Sequence, residues 1–251
     1  MFISLKGKKV LITGASSGIG AATAILFSNY GAEIGLHYYS NKKGIQQVIN
    51  EIEKNNGIYK PFHGDLLDMK FTRNLIKSFV GEFGKIDILV NNAGAVGDPV
   101  HFSKLQEVHL ENTLSLNLVA PFFLAQQAFN YMKENKGGKI INVSSIAAKY
   151  GGGETSVHYG AAKAGIEAIT KSLAKFGAKY NILVNAVRPG FIDTKFHEKM
   201  NRTNKDIQKR IDLIPLKRAG DPKDVAKLIV FLASDAGNYI TGEIFNISGG
   251  D

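Results

Sequence analysis

Cysteine is missing altogether from the 251 residues, which excludes disulfides and thiolate metal sites. A chain without disulfides suits a reducing compartment, and the cytoplasm is the expected location. Proline is scarce, at 6 residues, and no Pro/Gly-rich linker, low-complexity tract or repeat interrupts the chain. No apolar run approaches the roughly 20 residues that span a bilayer, so no membrane association is expected. The opening Met1–Gly7 lacks the apolar core and small-residue cleavage site of a secretory signal. Long basic tracts are also absent. The net charge of +9 comes from 31 Lys and Arg spread along the chain, which reads as a solvated surface and not a nucleic-acid site. A basic balance would still steer an anionic ligand from long range.

What is present is alternation. Short Val/Leu/Ile-rich runs at Lys8–Thr13, Glu33–Tyr38, Ile58–His63, Ile86–Asn91, Lys139–Val143, Ile182–Val187 and Glu243–Ile247 read as strands. Helical patterns separate them: Ile19–Tyr30 closed by Gly31, Lys43–Asn55, Met69–Phe83 stopping near Gly84, Leu105–Lys133, Tyr159–Lys179, and Asp221–Ala233 with Asp221 as N-cap and Pro222 at its first position. Such apolar strands, each followed by a helix, predict an α/β fold: a doubly wound, Rossmann-type parallel sheet of seven strands with helices on both faces. The whole chain, 1–251, reads as one domain. Phe191–Ile214, polar and basic after Pro189-Gly190, is the expected lid.

Directly after the first strand stands Thr13-Gly14-Ala15-Ser16-Ser17-Gly18-Ile19-Gly20, opening into a helix. Gly14 suits the sharp turn, Gly18 lets backbone approach a pyrophosphate, and Gly20 permits close helix–strand packing. The helix N-terminus adds free N–H groups and a favourable dipole for an anion. A glycine turn alone is also compatible with a plain tight turn.

Tyr159-Gly160-Ala161-Ala162-Lys163 sets a phenol and an ammonium four residues apart, on one helix face. A neighbouring cation favours phenolate, which suits the tyrosine to acid/base work. By itself the spacing is common on amphipathic helices. It gains weight from Ser144-Ser145, at the carboxyl end of a strand where doubly wound sheets bind ligands. Asn117 sits inside a long helical pattern, a poor place for asparagine unless it has a task. Asn91-Asn92-Ala93-Gly94 closes the fourth strand in a tight polar turn that serves structure, ligand or both.

In this order and register, the motifs resemble those of the short-chain dehydrogenase/reductase family over almost the whole chain. The resemblance implies a catalytic tetrad of Asn117, Ser145, Tyr159 and Lys163. Tyr159 would transfer the proton and Ser145 orient the carbonyl. Lys163 would lower the tyrosine pKa and hold the nicotinamide ribose, and Asn117 would fix a water leading to solvent. It further implies cofactor contacts at Gly14, Ser16, Ser17, Gly18, Ile19, Gly20, Asn92, Ala93 and Gly94. Asp65 and Leu66 would lie at the adenine, and Pro189, Gly190, Ile192 and Thr194 at the nicotinamide. Ile240-Thr241-Gly242-Glu243 through Ser248-Gly249-Gly250 matches the family's usual ending. The chain departs from the pattern in three places. Ser145 lies one residue further from Tyr159 than is common, which enlarges the loop Lys149–His158 and leaves Ser144 as an alternative catalytic serine. Phe176 replaces a frequent glutamate and Leu183 a frequent arginine.

Members of the family that prefer NAD carry an acid at the end of the second strand. Here that segment is His37-Tyr38-Tyr39-Ser40-Asn41-Lys42-Lys43, with Tyr38 in the acid's place. NADP(H) is therefore expected over NAD(H), its 2′-phosphate meeting Tyr39, Ser40, Asn41 and Lys42. The substrate is expected to be a small-molecule or acyl-thioester carbonyl, since the 3-oxoacyl-carrier-protein reductase and bacterial glucose dehydrogenase branches are the most similar. Ala95–Val100, Lys149–His158 and Phe191–Met200 would wall its pocket, with His158 making it partly polar. The histidines show no ligand-like spacing, so no metal is expected. The resemblance also implies a homotetramer. Competing readings are a sugar or polyol dehydrogenase, a non-catalytic dinucleotide-binding regulator, and a sugar-nucleotide epimerase, which would show a different glycine spacing and an added domain.

Overall fold

In the computed structural model, which describes residues 4–194 and 203–251, seven strands form one parallel sheet in the order β3-β2-β1-β4-β5-β6-β7. The strands are β1 (Lys9–Ile12), β2 (Glu33–Tyr38), β3 (Tyr59–His63), β4 (Ile88–Asn91), β5 (Gly138–Val143), β6 (Ile182–Pro189) and β7 (Ile244–Ile247). The helices are α1 (Gly18–Asn29), α2 (Lys42–Lys54), α3 (Met69–Phe83), α4 (Glu107–Leu114), α5 (Ala120–Glu134), α6 (Ala147–Tyr150), α7 (Val157–Gly177), α8 (Asn204–Leu213) and α9 (Pro222–Ala233).

β1 shows why the sheet is covered on both faces. Val10, Leu11 and Ile12 are all fully buried, yet successive strand residues point to opposite sides. Val10 and Ile12 pack with Phe27 of α1, Ile45 of α2 and Ile229 of α9. Leu11 packs with Phe79 of α3 and Leu124 of α5 on the other face. Gly35 of β2 makes room there, because a Cβ at that point would stand 2.6 Å from the Phe79 ring.

Local chemistry sets the helix ends. Asp68 caps α3 by accepting from the Lys70 and Phe71 amides at 2.8 and 3.3 Å, and Gly84 ends it with φ 79°. Asp221 and Asp224 form a reciprocal box at the start of α9, with Pro222 in its first turn. Gly31, at φ 81°, closes α1 through its amide on the Ser28 carbonyl.

The expected helix Leu105–Lys133 is not continuous. A wider, π-type turn over Ser115–Val119 separates α4 from α5. Pro121 explains part of the break, because it has no N–H to give to the carbonyl four residues earlier, that of Asn117. Of the expected lid, residues 195–202 lie outside the described residues, and His197 with them. The described remainder includes α8, begun by a Thr203–Asp206 box and without a buried residue.

β1 and β4 lie side by side while the chain leaves them in opposite directions: Val10 pairs with Ile88 and Ile12 with Val90. This is the point where an open parallel sheet leaves a crevice beyond its carboxyl ends.

Candidate active site

The crevice is a cavity of about 820 Å³, and its floor is two turns sewn together. The Thr13 hydroxyl accepts from the amides of Asn92 and Ala93, both at 3.0 Å. The Asn92 amide donates back to the carbonyls of Thr13 and Gly14 at 2.9 and 3.2 Å. Gly14 and Gly18 take φ 68° and 54°, a region that side chains resist. A Cβ on Gly20 would stand 2.2 Å from the Gly14 carbonyl oxygen, so only glycine lets α1 begin this close to the turn. Ser17 precedes α1 without any side-chain cap, and the first turn of the helix carries no acid. Its leading amides thus face the cavity without a side-chain acceptor, which fits an incoming pyrophosphate.

Of the residues expected in the tetrad and at the cofactor, all line this cavity except Gly20, Lys42 and Asn117. Gly20 acts from below, through packing. Lys42 begins α2 outside the cavity. Asn41 lines the wall, but its side chain is already engaged: its oxygen accepts from Gly44 N at 3.0 Å and its amide donates to Ser16 O at 3.1 Å. Tyr39 and Ser40 are exposed at the rim. Asp65 uses one carboxylate oxygen to accept from Leu67 N at 2.9 Å. Tyr150 and Ser156 line the cavity from the expected wall Lys149–His158, whereas His37 also lines it and was not expected there.

At the other end, the two serines that the sequence left open part company. The Ser144 hydroxyl is buried and donates to Glu167 Oε1 at 2.7 Å, although the residue also borders the cavity. Glu167 is held in turn by a two-pronged pair with Arg188, at 2.8 and 2.6 Å. Ser145 lines the cavity, accepts from Ala147 N at 3.1 Å and hydrogen-bonds the Tyr159 hydroxyl. Glu167 follows Lys163 by one helical turn on the buried face of α7, a spacing that made the brace readable in advance.

The enlarged loop before Tyr159 is tightly folded. Gly151 and Gly152 take φ 82° and 80°, and Gly153 N donates to Ser156 Oγ at 2.9 Å. Gly160 lets α7 abut this loop, since a Cβ there would meet the Gly151 carbonyl at 2.5 Å. His158 does not line the cavity. It is buried on another face of α7 near the Val96 carbonyl, and burial lowers its pKa.

Lys163 is buried with its ammonium donating to the Val143 carbonyl at 2.8 Å, 5.6 Å from the centre of the Tyr159 ring. Asn117, inside the π-type turn, pairs with Ala95 in both directions, accepting at 3.2 Å and donating at 2.8 Å, and also donates to Thr113 O. Gly94 joins the two: a Cβ there would fall 2.6 Å from Asn117 Oδ1 and 3.2 Å from Lys163 Nζ. The expected lowering of the tyrosine pKa is not what this arrangement gives. Burial pushes Tyr159 up to about 12, only partly opposed by the bond from Ser145. Burial likewise brings Lys163 down to about 8. Desolvation is the largest influence on both groups, and the Lys163 ammonium is engaged by the Val143 carbonyl. Among the described residues no cluster of acids and histidines has the makings of a metal site. No helix among them is long and apolar enough to cross a membrane.

A sequence profile described as Enoyl-(Acyl carrier protein) reductase matches residues 14–251. The chain belongs to the short-chain dehydrogenase/reductase family. As such it is an oxidoreductase acting on carbonyl and alcohol groups. It is 39% identical over 247 residues to the 3-oxoacyl-[acyl-carrier-protein] reductase FabG of Thermotoga maritima, covering 98% of both chains. It is 36% identical to the L-rhamnose 1-dehydrogenase (NAD(P)(+)) of a Sphingomonas species, covering 98% of this chain and 96% of the other. A solved 7α-hydroxysteroid dehydrogenase, in complex with NADH and 7-oxo glycochenodeoxycholic acid, superposes with a TM-score of 0.92 at 32% identity, covering 100% of this chain and 98% of that one. Thioester, sugar and steroid thus all appear among the relatives of this short-chain dehydrogenase/reductase.

Proposed function

We propose that this short-chain dehydrogenase/reductase is an NADP(H)-dependent reductase of 3-oxoacyl thioesters, the whole chain acting as one dinucleotide-binding unit in a cytoplasmic homotetramer. The observation that carries the catalytic part is the hydrogen-bonded Ser145–Tyr159 pair, set in the same cavity as the uncapped start of α1. The preference for NADP(H) rests on the end of β2. Tyr38 lies there against His63, with ring centres 5.1 Å apart, and the segment from His37 to Lys43 carries no Asp or Glu to take the ribose hydroxyls. Tyr39 and Ser40 offer hydroxyls to a 2′-phosphate instead. The thioester reading is supported by the full-length likeness to several 3-oxoacyl reductases.

The glycine turns and the start of α1 fit a bound dinucleotide, which would supply or accept the hydride. Ser145 then orients the substrate oxygen, and Tyr159 gives its proton to that oxygen in reduction or takes it back in oxidation. Burial keeps Tyr159 protonated at neutral pH, the form that reduction needs. Lys163 holds the floor of the site through Val143, within reach of the ring it flanks.

The test is a panel of acetoacetyl thioesters, diketones, sugars and hydroxysteroids, each with NADPH, NADH and their oxidised forms. The thioester with NADPH should give the highest kcat/KM. A sugar with either oxidised cofactor ahead of it would favour the dehydrogenase reading instead. Tyr159→Phe should lose about a thousandfold in kcat while still binding the dinucleotide. Substantial turnover in that variant would refute the catalytic assignment and favour a binding or regulatory role.

A further inference from the structure

An imidazole sits in the sheet where an aliphatic side chain would be the ordinary choice. His37 of β2 is 2% exposed and touches the cavity from inside the core. Its two ring nitrogens are both engaged. Nδ1 accepts from the Gly14 amide at 3.3 Å, and Nε2 lies 3.1 Å from the Gly64 carbonyl oxygen. A carbonyl only accepts and an amide only donates, so one form alone satisfies both contacts: the neutral ring with its proton on Nε2. Phe71 flanks the ring at 5.7 Å and holds its plane. The His37 backbone adds a third tie, its carbonyl accepting from Ala15 N at 2.8 Å.

These side-chain ties add to the backbone bonds from Gly64 N to Tyr38 O and from Ala15 N to His37 O, which already set both turns against β2. Gly14 opens the turn beneath the start of α1, and Gly64 immediately precedes Asp65 at the end of β3. β1 and β3 are not neighbours in the sheet, since β2 lies between them. Beyond the last rungs, the hydrogen-bonded span Gly14–His37–Gly64 is the side-chain link that runs from one turn directly to the other. A leucine would bury more cheaply here but would leave the Gly14 amide without a partner.

We infer that His37 is a positioning residue for the adenosine half of the dinucleotide, a role that rests on the dinucleotide-binding reading above. It holds the phosphate-binding turn and the Gly64–Asp65 turn at a fixed separation, so that both engage one ligand. Its ring need not touch the ligand to do so.

Three variants separate this role from simple core filling. His37→Leu removes both side-chain bonds. His37→Asn keeps an acceptor where Nδ1 stands, and His37→Gln keeps a donor where Nε2 stands. Dissociation constants are measured for NADPH, for adenosine 2′,5′-bisphosphate and for nicotinamide mononucleotide, with thermal midpoints alongside. His37→Leu should weaken NADPH and the bisphosphate by about tenfold, the weight of one buried amide left unpaired. Asn should recover most of that loss and Gln less, the mononucleotide should be unaffected, and the cost in turnover should appear in the cofactor KM more than in kcat. If Leu does not fold, the contrast between Asn and Gln carries the same test. Equal NADPH affinity across the variants, or losses that follow the thermal midpoint and are not recovered by Asn, would overturn the inference. An unaltered protein that binds neither NADPH nor NADH would overturn the dinucleotide reading itself, and this role with it.

Discussion

Ser144 and Ser145 are adjacent in sequence, and the sheet edge sends them to opposite tasks. Ser144 belongs to a chain of bonds running outward from the core through Glu167 to Arg188 and on to Asn246 of β7 at the surface. Ser145 faces Tyr159. Ser145→Ala is therefore expected to lower kcat by about a hundredfold with little change in stability. Ser144→Ala should do the reverse, costing about 1–2 kcal/mol by removing a donor from a buried carboxylate. A denaturation curve and an initial-rate assay on the pair check both, and equal rate losses in the two would contradict the division. Protonation sets a direction as well. Reduction needs the Tyr159 hydroxyl and oxidation its phenolate. With the hydroxyl pushed up to about 12, the phenolate fraction grows throughout the accessible alkaline range. The kcat/KM for alcohol oxidation should rise with pH above neutrality, while that for carbonyl reduction stays flat until the hydroxyl begins to ionise. A pH profile in each direction reads this out.

At the scale of elements, packing at the first turn offers the sharpest expectation. Gly20→Ala would drive a methyl into the Gly14 carbonyl and the Asn92 amide, 2.2 and 2.5 Å away. Both are fixed by the paired turns, so α1 must shift, at about 1–3 kcal/mol and with a clear loss of NADPH affinity. Calorimetry with and without NADPH measures the two effects together. Much of this layer was legible in the sequence. β2 and α3 fall where the apolar period and the caps place them, because strands buried on both faces must be apolar throughout. The break at Ser115–Val119 was not, since the residues around it keep a helical period and the widened turn depends on Asn117 reaching across to Ala95. Asparagine at that point was the visible sign, without the shape it implied. α6 escaped because it is a single turn of four residues, and α8 because its stripe is only Ile207 and Ile211 in an otherwise polar, basic segment that buries nothing. The spent side chain of Asn41 was equally hidden, because helix capping and phosphate binding ask for the same residue type.

The whole molecule presents apolar side chains with no cover. Val108 and Leu110 of α4, Phe122 of α5, and Val157 and Phe176 of α7 are each between 38% and 51% exposed. Phe176, where the family often has glutamate, rests edge-on against Phe129 at 5.6 Å and extends this apolar surface. Burial of these helices between copies is the proposed tetramer's basis. Sedimentation should find a species about four times the 27.3 kDa chain, and Phe122→Glu should reduce it. A monomer in the unaltered protein would remove the proposal.

The place of β1 in the sheet also bears on how the chain is made. Within this sheet β1 is synthesised before its neighbours and ends as a central strand. One of its edges pairs with residues 33–36, but the other waits for residues 88–90. At ribosomal speeds of about 5–20 residues per second, that interval lasts on the order of several seconds. Throughout it a nascent chain carries Val10, Leu11 and Ile12 beside an open edge, able to pair with a neighbouring chain on the same polysome. Slowed translation between residues 36 and 88 would lengthen that exposure, while a delay once β4 has cleared the ribosome would find β1 already enclosed on both edges.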